Sequence, residues 1–491
     1  LLVVSLIWLR QNSIGPELGQ LENPKRIEQV RKSGPDASAV ILSEVPGEFG
    51  AWLENYRIVG NSVDLEKGVS LARKRRAVLK RMIAVDPERA LTLAISTKGR
   101  DGLPEEIVEL LETPVSTAGE FERVVSCYLG GIERPADSPT EERFVSFDKK
   151  RYRAFTYGRR SELQTKDRIS LHGISIDDVV AFSPDPVKRI SGVNDLLVEA
   201  FGEEKRFVNE DDLDHFVAML VSDEDTAGPS ENAQVAESPW TEGNKRILYL
   251  RVRFLDDDPT YEPVTLATAQ THQDDVAEHY RIASYGKLNV TTVFPDMITL
   301  TENKSEYVGQ GLGKMMNEAR AAAIVMGNDE GMDWNYSNFD LYTIISAGGI
   351  GSYAGIAQVG GRQSHHQRGY TSLRTSGHEF GHNLGLSHAY FNYTSDLNPR
   401  GSTPTNGLGR VEYGHRFSGM SGQSGSDMDN PTLPHFTVHE KWRLDWITES
   451  DFTEITNSAQ NGTYRLFQND DENATGLRAL RLPSGGALSR Y

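Results

Sequence analysis

The strongest signal in this 491-residue chain is the segment His378-Glu379-Phe380-Gly381-His382-Asn383-Leu384-Gly385-Leu386-Ser387-His388. Residues four apart share one face of an α-helix, so His378 and His382 can bind the same metal ion. Gly385 permits a positive φ, which lets the chain turn back and bring His388 to that ion. Three histidines leave an open fourth position, as in catalytic zinc sites. The spacing therefore predicts one catalytic Zn2+ ion, with Glu379 as the general base that activates water.

Two less specific interpretations of this segment exist. The histidines could be solvated side chains on an exposed helix, or the segment could form a zinc site without catalytic activity. Five fixed positions within eleven residues argue against the first, and the presence of Glu379 argues against the second. His435 is the substitute third ligand if His388 does not bind the metal. The segment thus favours a metal-dependent hydrolase.

The motif resembles that of the metzincin metallopeptidases, and its surroundings resemble the gametolysin-type members of that group. The residues that carry the resemblance are 378–389, Glu412-Tyr413-Gly414, Met420, His435-Phe436 and Lys441-Trp442-Arg443-Leu444-Asp445-Trp446. The similarity extends more loosely upstream to about Lys245. It implies a Met-turn below the metal, for which Met420 is the choice and Met428 the rival. Some metzincins place a tyrosine after this methionine as an oxyanion donor; Ser421-Gly422 stand there, so no such residue is assigned.

The resemblance also implies a fold and a function. The expected fold is an α/β (α+β) catalytic domain with a mostly parallel, twisted sheet and an active-site helix. The expected function is that of a zinc-dependent endopeptidase, a monomer that acts on protein or peptide substrates and is secreted or held in the cell envelope. A peptide would pair with the edge strand of the sheet. The predicted edge strand comprises Tyr353, Ala354, Gly355, Ile356 and Ala357.

Two other functions are compatible with a zinc-binding motif. One is a non-catalytic, zinc-bearing adhesion or scaffold module. The other is a metallohydrolase that acts on a non-peptide substrate. A third idea, nucleotide binding, comes from Gly349-Ile350-Gly351-Ser352-Tyr353-Ala354, which matches a dinucleotide fingerprint. That fingerprint requires a helix directly after it, and the sequence there is β-like, so nucleotide binding is not expected.

The composition narrows the possible partners. A formal net charge of −18 argues against a nucleic-acid-binding protein, because phosphate contacts need clustered lysine and arginine. The basic run at residues 73–76 is interpreted as a solvated helix face, with a proteolytic processing site as the alternative. Acidic loops would allow a Ca2+ site, but none has the spacing of a recognised calcium loop, so calcium remains unsupported.

Five segments are predicted along the chain. Residues 1–60 form a weakly ordered segment whose apolar start is the remnant of a signal peptide or membrane anchor, or else an ordinary buried element. Only that anchor would contact a membrane. Residues 61–221 form a mixed α/β N-terminal module, a candidate zymogen propeptide, and an acidic linker follows at 222–243. The peptidase domain spans 244–450, and residues 451–491 begin a β-rich module; the chain is expected to be truncated at both ends.

Hydrophobic periodicity and capping residues predict the secondary structure. In the N-terminal half, helices are predicted at 63–83, after Asp86-Pro87 and after Pro104, and strands at 144–147, 152–157 and 169–174. In the C-terminal half, a β-α-β-α-β order is predicted from 247–254, 266–283, 288–294, 313–326 and 339–345. Further strands are predicted at 464–467 and 477–482.

Cys127 is the single cysteine, so no intramolecular disulfide can form. It is interpreted as a small buried core residue. The alternative, implied by the resemblance, is a propeptide cysteine that occupies the fourth zinc position and keeps a zymogen silent. The surroundings typical of such a cysteine are absent in Val125-Ser126-Cys127-Tyr128-Leu129.

Overall fold

The computed structural model describes residues 37–481 except 61–62, 129–138, 191–195, 226–239, 310–311, 393–409, 416 and 423–431. The apolar run at 1–9, most of the acidic linker, Met428 and the end of the chain therefore lie outside the described residues. Among the residues that are described, no helix is both long and apolar enough to cross a membrane.

The secondary-structure elements of the described residues are numbered in chain order. The helices are α1 (Ala37–Val59), α2 (Leu65–Val85), α3 (Pro87–Thr92), α4 (Glu105–Val108), α5 (Glu210–Asp225), α6 (Leu266–Ala283), α7 (Gly313–Glu330), α8 (Leu373–Asn383) and α9 (Val438–Arg443). The strands are β1 (Thr113–Cys127), β2 (Glu141–Phe147), β3 (Lys150–Phe155), β4 (Lys166–Ile176), β5 (Val179–Phe182), β6 (Lys188–Arg189), β7 (Leu197–Ala200), β8 (Glu203–Arg206), β9 (Gly243–Arg253), β10 (Leu288–Val293), β11 (Ile298–Thr299), β12 (Leu341–Ser346), β13 (Gly355–Gln358), β14 (Gln363–Gln367), β15 (Tyr390–Asn392), β16 (Arg410–Glu412), β17 (Phe452–Glu454) and β18 (Ala479–Arg481).

The chain folds into two compact units. One comprises residues 1–116, 154–160 and 171–185, and the other comprises 117–153, 161–170 and 186–491. The predicted domain boundaries remain predictions. The class is mixed α/β, with a large mixed sheet.

The first unit is built around helix α2. Asp64 caps α2 by accepting a hydrogen bond from the Lys67 N–H, and Asp86 caps α3 in the same way, as its position before Pro87 predicts. One face of α2 packs with α1 and α4, and another packs with β4 and β5. Residues 37–59 were expected to be weakly ordered, but they form α1, whose Phe49 and Trp52 are buried. That apolar burial stabilises a helix whose propensity alone is weak.

The basic run of α2 is only partly a solvated face. Arg75 is buried, and its guanidinium donates two hydrogen bonds to the Glu112 carboxylate, at 2.6 and 3.2 Å. Its second nitrogen also donates to the Leu93 carbonyl at 2.8 Å. Lys80, by contrast, keeps a partly exposed ammonium paired with Asp177 and Asp178. The prediction of a solvated face is therefore wrong at Arg75, whose side chain is buried in this unit.

This contrast predicts the stability of two variants. Arg75→Met should lower the free energy of opening of α2 by about 3 kcal/mol, because the buried Glu112 carboxylate loses its two-bonded guanidinium and keeps only Arg100, at 3.5 Å, as a charged partner among the described residues. Lys80→Met, which breaks an exposed pair on the same helix, should cost less than about 1 kcal/mol. Hydrogen exchange of the α2 amides measures both. Equal protection in the two variants would contradict the role given to Arg75.

The second unit contains the sheet that positions the histidine motif. Its strand order is β10-β9-β12-β14-β13-β1-β2-β3. Strand β11 also pairs with β9, farther along that strand than β10 does. Strands β10, β9, β12 and β14 are mutually parallel, as the β-α-β-α-β pattern predicts. From β13 onward each neighbour is antiparallel. The expectation of a mostly parallel sheet thus holds only for the half that contains β9 to β12 and β14.

Helices cover both faces of the parallel part of this sheet. Leu248, Leu250 and Val252 alternate along β9 and pack with α7. Ile247, one position out of phase, packs on the opposite side with α6 and α8. Burial of apolar side chains on both faces explains why β9 carries the apolar run at 247–250 and why β12 is mostly apolar. Helix α8, which carries the motif, is therefore held against a rigid support.

The prediction of a strand at 464–467 is wrong. Residues 464–467 are not a strand in the structure. The loop that follows them is organised by one side chain, because the Arg478 guanidinium donates to the backbone carbonyls of Gln468, Asp471 and Ala474. The strand predicted at 477–482 is present as β18, which pairs in parallel with β17.

Candidate metal centre

Helix α8 brings the first two histidines of the motif together. Its residues from Arg374 to Asn383 are all buried, and His378 and His382 lie one turn apart with ring centroids separated by 4.8 Å. Both residues are fully buried. The structure thus places this pair as the four-residue spacing predicts.

The chain turns back directly after α8. Gly385 has a φ of +105°, a conformation that glycine adopts without steric cost, and the Leu386 N–H donates to the Gly381 carbonyl. The turn directs His388 toward the other two histidines, with ring centroids 5.4 Å from His378 and 4.8 Å from His382. The three predicted ligands therefore converge.

Hydrogen bonds at Nδ1 orient each imidazole. Nδ1 of His378 donates to the Gly419 carbonyl at 2.9 Å, and Nδ1 of His382 donates to the Leu386 carbonyl at 2.7 Å. Nδ1 of His388 donates to a Glu412 carboxylate oxygen at 2.8 Å. With the proton held at Nδ1, each Nε2 carries a free lone pair, which is the arrangement found in metal-binding histidines.

A fourth donor atom lies at the same point. The Cys127 sulfur is 3.3 Å from His382 Nε2 and 3.4 Å from His388 Nε2, and the four ligand atoms lie within 4.8 Å of one another. Two ligands of a tetrahedral zinc ion, one sulfur and one nitrogen, are separated by about 3.6 Å when the usual bond lengths apply. Cys127 is buried, as predicted, but its sulfur faces the histidines, so the core-residue interpretation is incomplete.

The site has the chemistry that a zinc ion requires. Burial lowers the pKa of all three histidines, that of His378 to about 4, so the imidazoles are neutral at physiological pH. His378 Nε2 has no hydrogen-bond partner among the described residues. A buried acceptor left in this way costs about 1–3 kcal/mol, which a bound cation would recover. Cys127, His378, His382 and His388 can therefore hold a metal ion.

Strand β1 carries Cys127 to this point. It pairs antiparallel with β13, with Val124 opposite Gln358 and Cys127 opposite Gly355. The predicted strand is present as β13 from Gly355 onward. It is not an edge strand, because β1 pairs with the side that was expected to be open. Tyr353 and Ala354 precede β13, and the Ala354 N–H donates to the Cys127 carbonyl at 2.8 Å.

Further contacts fix β1 beside the motif. The Arg123 guanidinium donates to the Ser387 hydroxyl at 3.1 Å and to Glu141 at 2.7 Å. The Gln358 side-chain amide donates to Glu122 at 2.9 Å. These contacts bond the start of the paired segment to β13 and to the motif, and the Ala354–Cys127 backbone hydrogen bond holds its other end.

Glu379 is buried beside the sulfur. Burial raises the pKa of its carboxyl to about 8 in the absence of a metal, and the Cys127 thiol is its polar neighbour. No nitrogen or oxygen atom of the described residues bonds to either carboxyl oxygen. A Cβ atom on Gly355 would lie 2.3 Å from Glu379 Oε1, so the carboxyl occupies space that only glycine leaves open.

Met420 lies below the helix. It is fully buried, and a Cβ atom on Gly381 would lie 2.5 Å from its sulfur. Its carbonyl accepts a hydrogen bond from the Ala389 N–H just after the third histidine. The methionine therefore packs against the segment that carries the ligands.

Two rival assignments do not fit the structure. His435 lies beside His279, with ring centroids 5.2 Å apart, and is not in the ligand cluster found among the described residues. The glycine-rich segment at 349–354 leads into strand β13 rather than a helix, so a dinucleotide site is absent there.

Sequence reasoning missed two residues of the site. Glu412 bonds to His388, and the Tyr413 ring lies 4.0 Å from the His388 ring, centroid to centroid. Both residues occur in the run used for the resemblance, but nothing in their spacing indicates a role. A zinc-binding histidine commonly donates the N–H of its second nitrogen to a carboxylate, and that requirement could have pointed to Glu412.

No protein-family model and no curated protein sequence matches this chain. Two solved structures resemble it weakly. One, a chaperone–substrate complex, is 14% identical and has a TM-score of 0.21, covering 55% of this chain and 51% of that one. The other, metalloproteinase-II from Bacteroides fragilis, is 11% identical and has a TM-score of 0.24, covering 64% of this chain and 90% of that one. The chain thus spans about half the length of the first. Likeness this weak does not assign a function.

The orientation of His388 predicts a metal-affinity defect. Glu412→Gln should weaken Zn2+ binding by about 10–100-fold, because the amide is a poorer acceptor for the His388 N–H. Competition with a chromophoric chelator measures the affinity. Glu318→Gln, which removes a carboxylate bonded to Tyr307 instead, is the matched control and should bind Zn2+ like the unaltered protein. Equal affinity in all three proteins would exclude Glu412 as a support of the site.

Proposed function

We propose that this chain is a zinc-dependent endopeptidase of the metzincin type, similar to gametolysin, and that the form described here is its latent form. The observation that carries the proposal is the convergence of three buried, neutral imidazoles beside the buried carboxyl of Glu379. Sequence spacing and geometry agree at each of these four positions. The proposed substrate is a protein or peptide, and the proposed location is secreted or in the cell envelope.

Each residue has a defined task in this proposal. His378, His382 and His388 would hold the zinc ion. When bound, zinc acts as a Lewis acid that polarises the substrate carbonyl and lowers the pKa of water. Glu379 takes a proton from the water molecule whose oxygen attacks the carbonyl carbon, and it then delivers that proton to the nitrogen of the departing amine. The net reaction adds one water across the peptide bond.

The burial of Glu379 suits this task. Burial raises the pKa of this carboxyl to about 8 in the metal-free protein, and a bound cation beside it would favour the ionised form that can accept a proton. The Cys127 thiol is the polar neighbour of its oxygens among the described residues, so departure of β1 would leave them free to bind water or the amine of the substrate.

Latency follows from the position of strand β1. Its Cys127 sulfur occupies the position that a water molecule or substrate oxygen needs, and its backbone occupies the edge of β13. A peptide substrate would need both places. We therefore place β1 in a propeptide that must leave before peptides bind.

The two alternative functions make different demands on the site. A non-catalytic zinc module has no use for a buried carboxyl beside the ligands whose polar neighbour is a thiol alone, because burial of such a group destabilises the fold. A metallohydrolase of non-peptide substrates has no need of an extended strand edge next to the metal. The chain has such a carboxyl, and β13 would offer such an edge once β1 leaves, which favours the endopeptidase.

Removal of the carboxylate base tests catalysis. In zinc-loaded protein that carries Cys127→Ala and has been cut within residues 222–243, Glu379→Gln should lower casein hydrolysis by about 10²–10⁴-fold while zinc content stays at one per chain. Glu318→Gln in the same background should retain activity. If zinc is retained but all three proteins lack activity on casein and gelatin, the chain is not an endopeptidase.

The latency proposal predicts that one substitution activates the full chain. Cys127→Ala should hydrolyse casein faster than the unaltered protein, because loss of the thiol ligand weakens the attachment of β1 and lets the strand leave the edge of β13 more often. Val125→Ala is the matched control, since this residue is also buried on β1 but supplies no ligand. If Val125→Ala activates equally, loosening of the strand rather than loss of the thiol explains the effect.

A spectroscopic measurement tests the same contact without any substrate. Unaltered protein loaded with Co2+ should show a thiolate-to-cobalt charge-transfer band in the near ultraviolet, which Cys127→Ala should lack. Cleavage within the predicted linker at 222–243 should abolish the band and increase activity. Persistence of the band in active, cleaved protein would contradict the propeptide assignment.

A further inference from the structure

Strand β1 is an extended peptide that lies on the side of β13 next to the metal ligands. Its residues from Val124 to Cys127 pair antiparallel with β13, and the Val359 N–H donates to the Arg123 carbonyl at 2.8 Å. In the proposed propeptide, this strand leaves before a substrate binds. A substrate that takes its place in the same antiparallel sense would form the same backbone pairs. The side chains of β1 therefore mark the places that substrate side chains would occupy.

Alternate residues of β1 face opposite sides of the sheet. Cys127 faces the histidines, and Gly355 opposite it faces helix α8, since a Cβ atom there would meet the Glu379 side chain. Val124 is out of phase with Cys127, so its side chain lies on the other face. On that face Val124 is buried in an apolar cluster with three side chains, those of Leu312, Tyr353 and Ile356. The apolar cluster is thus separate from the metal centre but borders the same strand pair.

A chain of hydrogen bonds fixes the aromatic wall of the apolar cluster. The Ser346 hydroxyl donates to the Ala347 carbonyl at 3.0 Å, so its oxygen accepts from His365 Nε2, which is 2.8 Å away. With its proton on Nε2, His365 accepts at Nδ1 from the Tyr353 hydroxyl at 3.2 Å. The Tyr353 ring is therefore held in place by groups outside β1. A wall that is already ordered loses little conformational entropy when a peptide binds.

The other walls of the apolar cluster are aliphatic. Leu312 directly precedes helix α7, and Ile356 lies on β13 itself. A charged side chain placed among these residues would lose its hydration without gaining a partner, whereas an aliphatic one gains by burial. Phe144 on β2 packs against the outside of the cluster, and β2 pairs with β1, so this ring would leave together with the strand. Departure of the propeptide would therefore open the cluster to a substrate side chain.

We propose that Leu312, Tyr353 and Ile356 are specificity-determining residues that bind an aliphatic side chain of the substrate where Val124 now lies. Val124 precedes by three residues the cysteine at the metal, so the selected side chain stands on the N-terminal side of the scissile bond. The substrate class is thus proteins with valine, isoleucine or leucine at that position. This inference rests on the proposed endopeptidase function.

The first test is the cleavage-site profile of a peptide library. The enzyme is the zinc-loaded chain that carries Cys127→Ala and has been cut within residues 222–243, with both pieces kept together. It should favour valine, isoleucine or leucine over alanine by about 10-fold at the selected position, because two or three fewer carbon atoms are buried with alanine. Leu312→Lys should instead favour aspartate and glutamate at that position alone, because their carboxylates can pair with the new ammonium.

Two further variants control this profile. Leu312→Ala, which adds no charge, should reduce the aliphatic preference without creating an acidic one. Val325→Lys adds the same charge to the same helix α7 at an exposed position, and it should leave the profile unchanged. If Leu312→Lys and Leu312→Ala select the same residues as the parent enzyme, the subsite is refuted and the endopeptidase function stands.

The second test does not involve catalysis. Cys127 is the single cysteine, so its rate of alkylation by iodoacetamide in the zinc-loaded, uncut chain reports how often β1 leaves β13. Val124→Asp should accelerate alkylation by about 100-fold, because a carboxylate enters the apolar cluster. Adding Leu312→Lys to Val124→Asp should slow alkylation again by about 10-fold, because the two charges meet.

Val125 supplies the matched control for this rescue, since it is also buried on β1 but lies on the face of Cys127. Leu312→Lys should not slow the alkylation of a Val125→Asp protein. Rescue of neither variant, or of both equally, would overturn the inference. If Val124→Asp alone is rescued while the parent enzyme cuts no peptide, the apolar cluster still selects the side chain at this position and the endopeptidase function fails.

Discussion

Three imidazole lone pairs directed at one buried point are the constraint on which this molecule depends. Each nitrogen is held there because the opposite nitrogen of its ring donates to a carbonyl or carboxylate. Neutral acceptors that face one another without a donor are unfavourable in a dry interior. The arrangement is stable only if a cation or a polar hydrogen enters, and the Cys127 thiol alone cannot satisfy three acceptors. The fold therefore contains an electrostatic requirement that a divalent metal meets.

The residues that supply and orient the three imidazoles come from separate parts of the second unit. Helix α8 supplies two ligands, the turn at Gly385 supplies the third, and the segment at Gly419 and Glu412 orients two of them. The parallel strands hold α8 in place by packing apolar side chains under it. Because the orienting groups are backbone carbonyls in two cases of three, substitution of side chains there has little effect on ligand orientation. Glu412 is the exception, which makes it the vulnerable support.

Local patterns determined most of what could be predicted. The helix from Leu373 to Asn383, the turn at Gly385 and the alternation of helices and strands from β9 to β12 follow from spacing, glycine and apolar periodicity. Strand β1 was not predicted, because Glu120, Glu122 and Arg123 interrupt its apolar pattern and its partner lies more than 200 residues later. Its charges are satisfied by long-range partners such as Gln358 and Ser387. Cys127 was interpreted as a core residue for the same reason, because its approach to the histidines depends on this non-local pairing.

The register of β1 on β13 has a mechanical consequence. Cys127 is the last residue of the paired segment and stands opposite Gly355, the first residue of β13. Tension applied to the chain beyond Tyr128 and directed away from the sheet would load the end pair first and open the ladder one residue at a time, as a zipper opens. The thiol would leave before Val124 and Val125 unpair. Tension applied from the opposite end of β1 would instead have to break the backbone pairs before it reached the sulfur. The two ends of β1 therefore differ: peeling from the Tyr128 end would release the thiol first, and peeling from the other end would release it last.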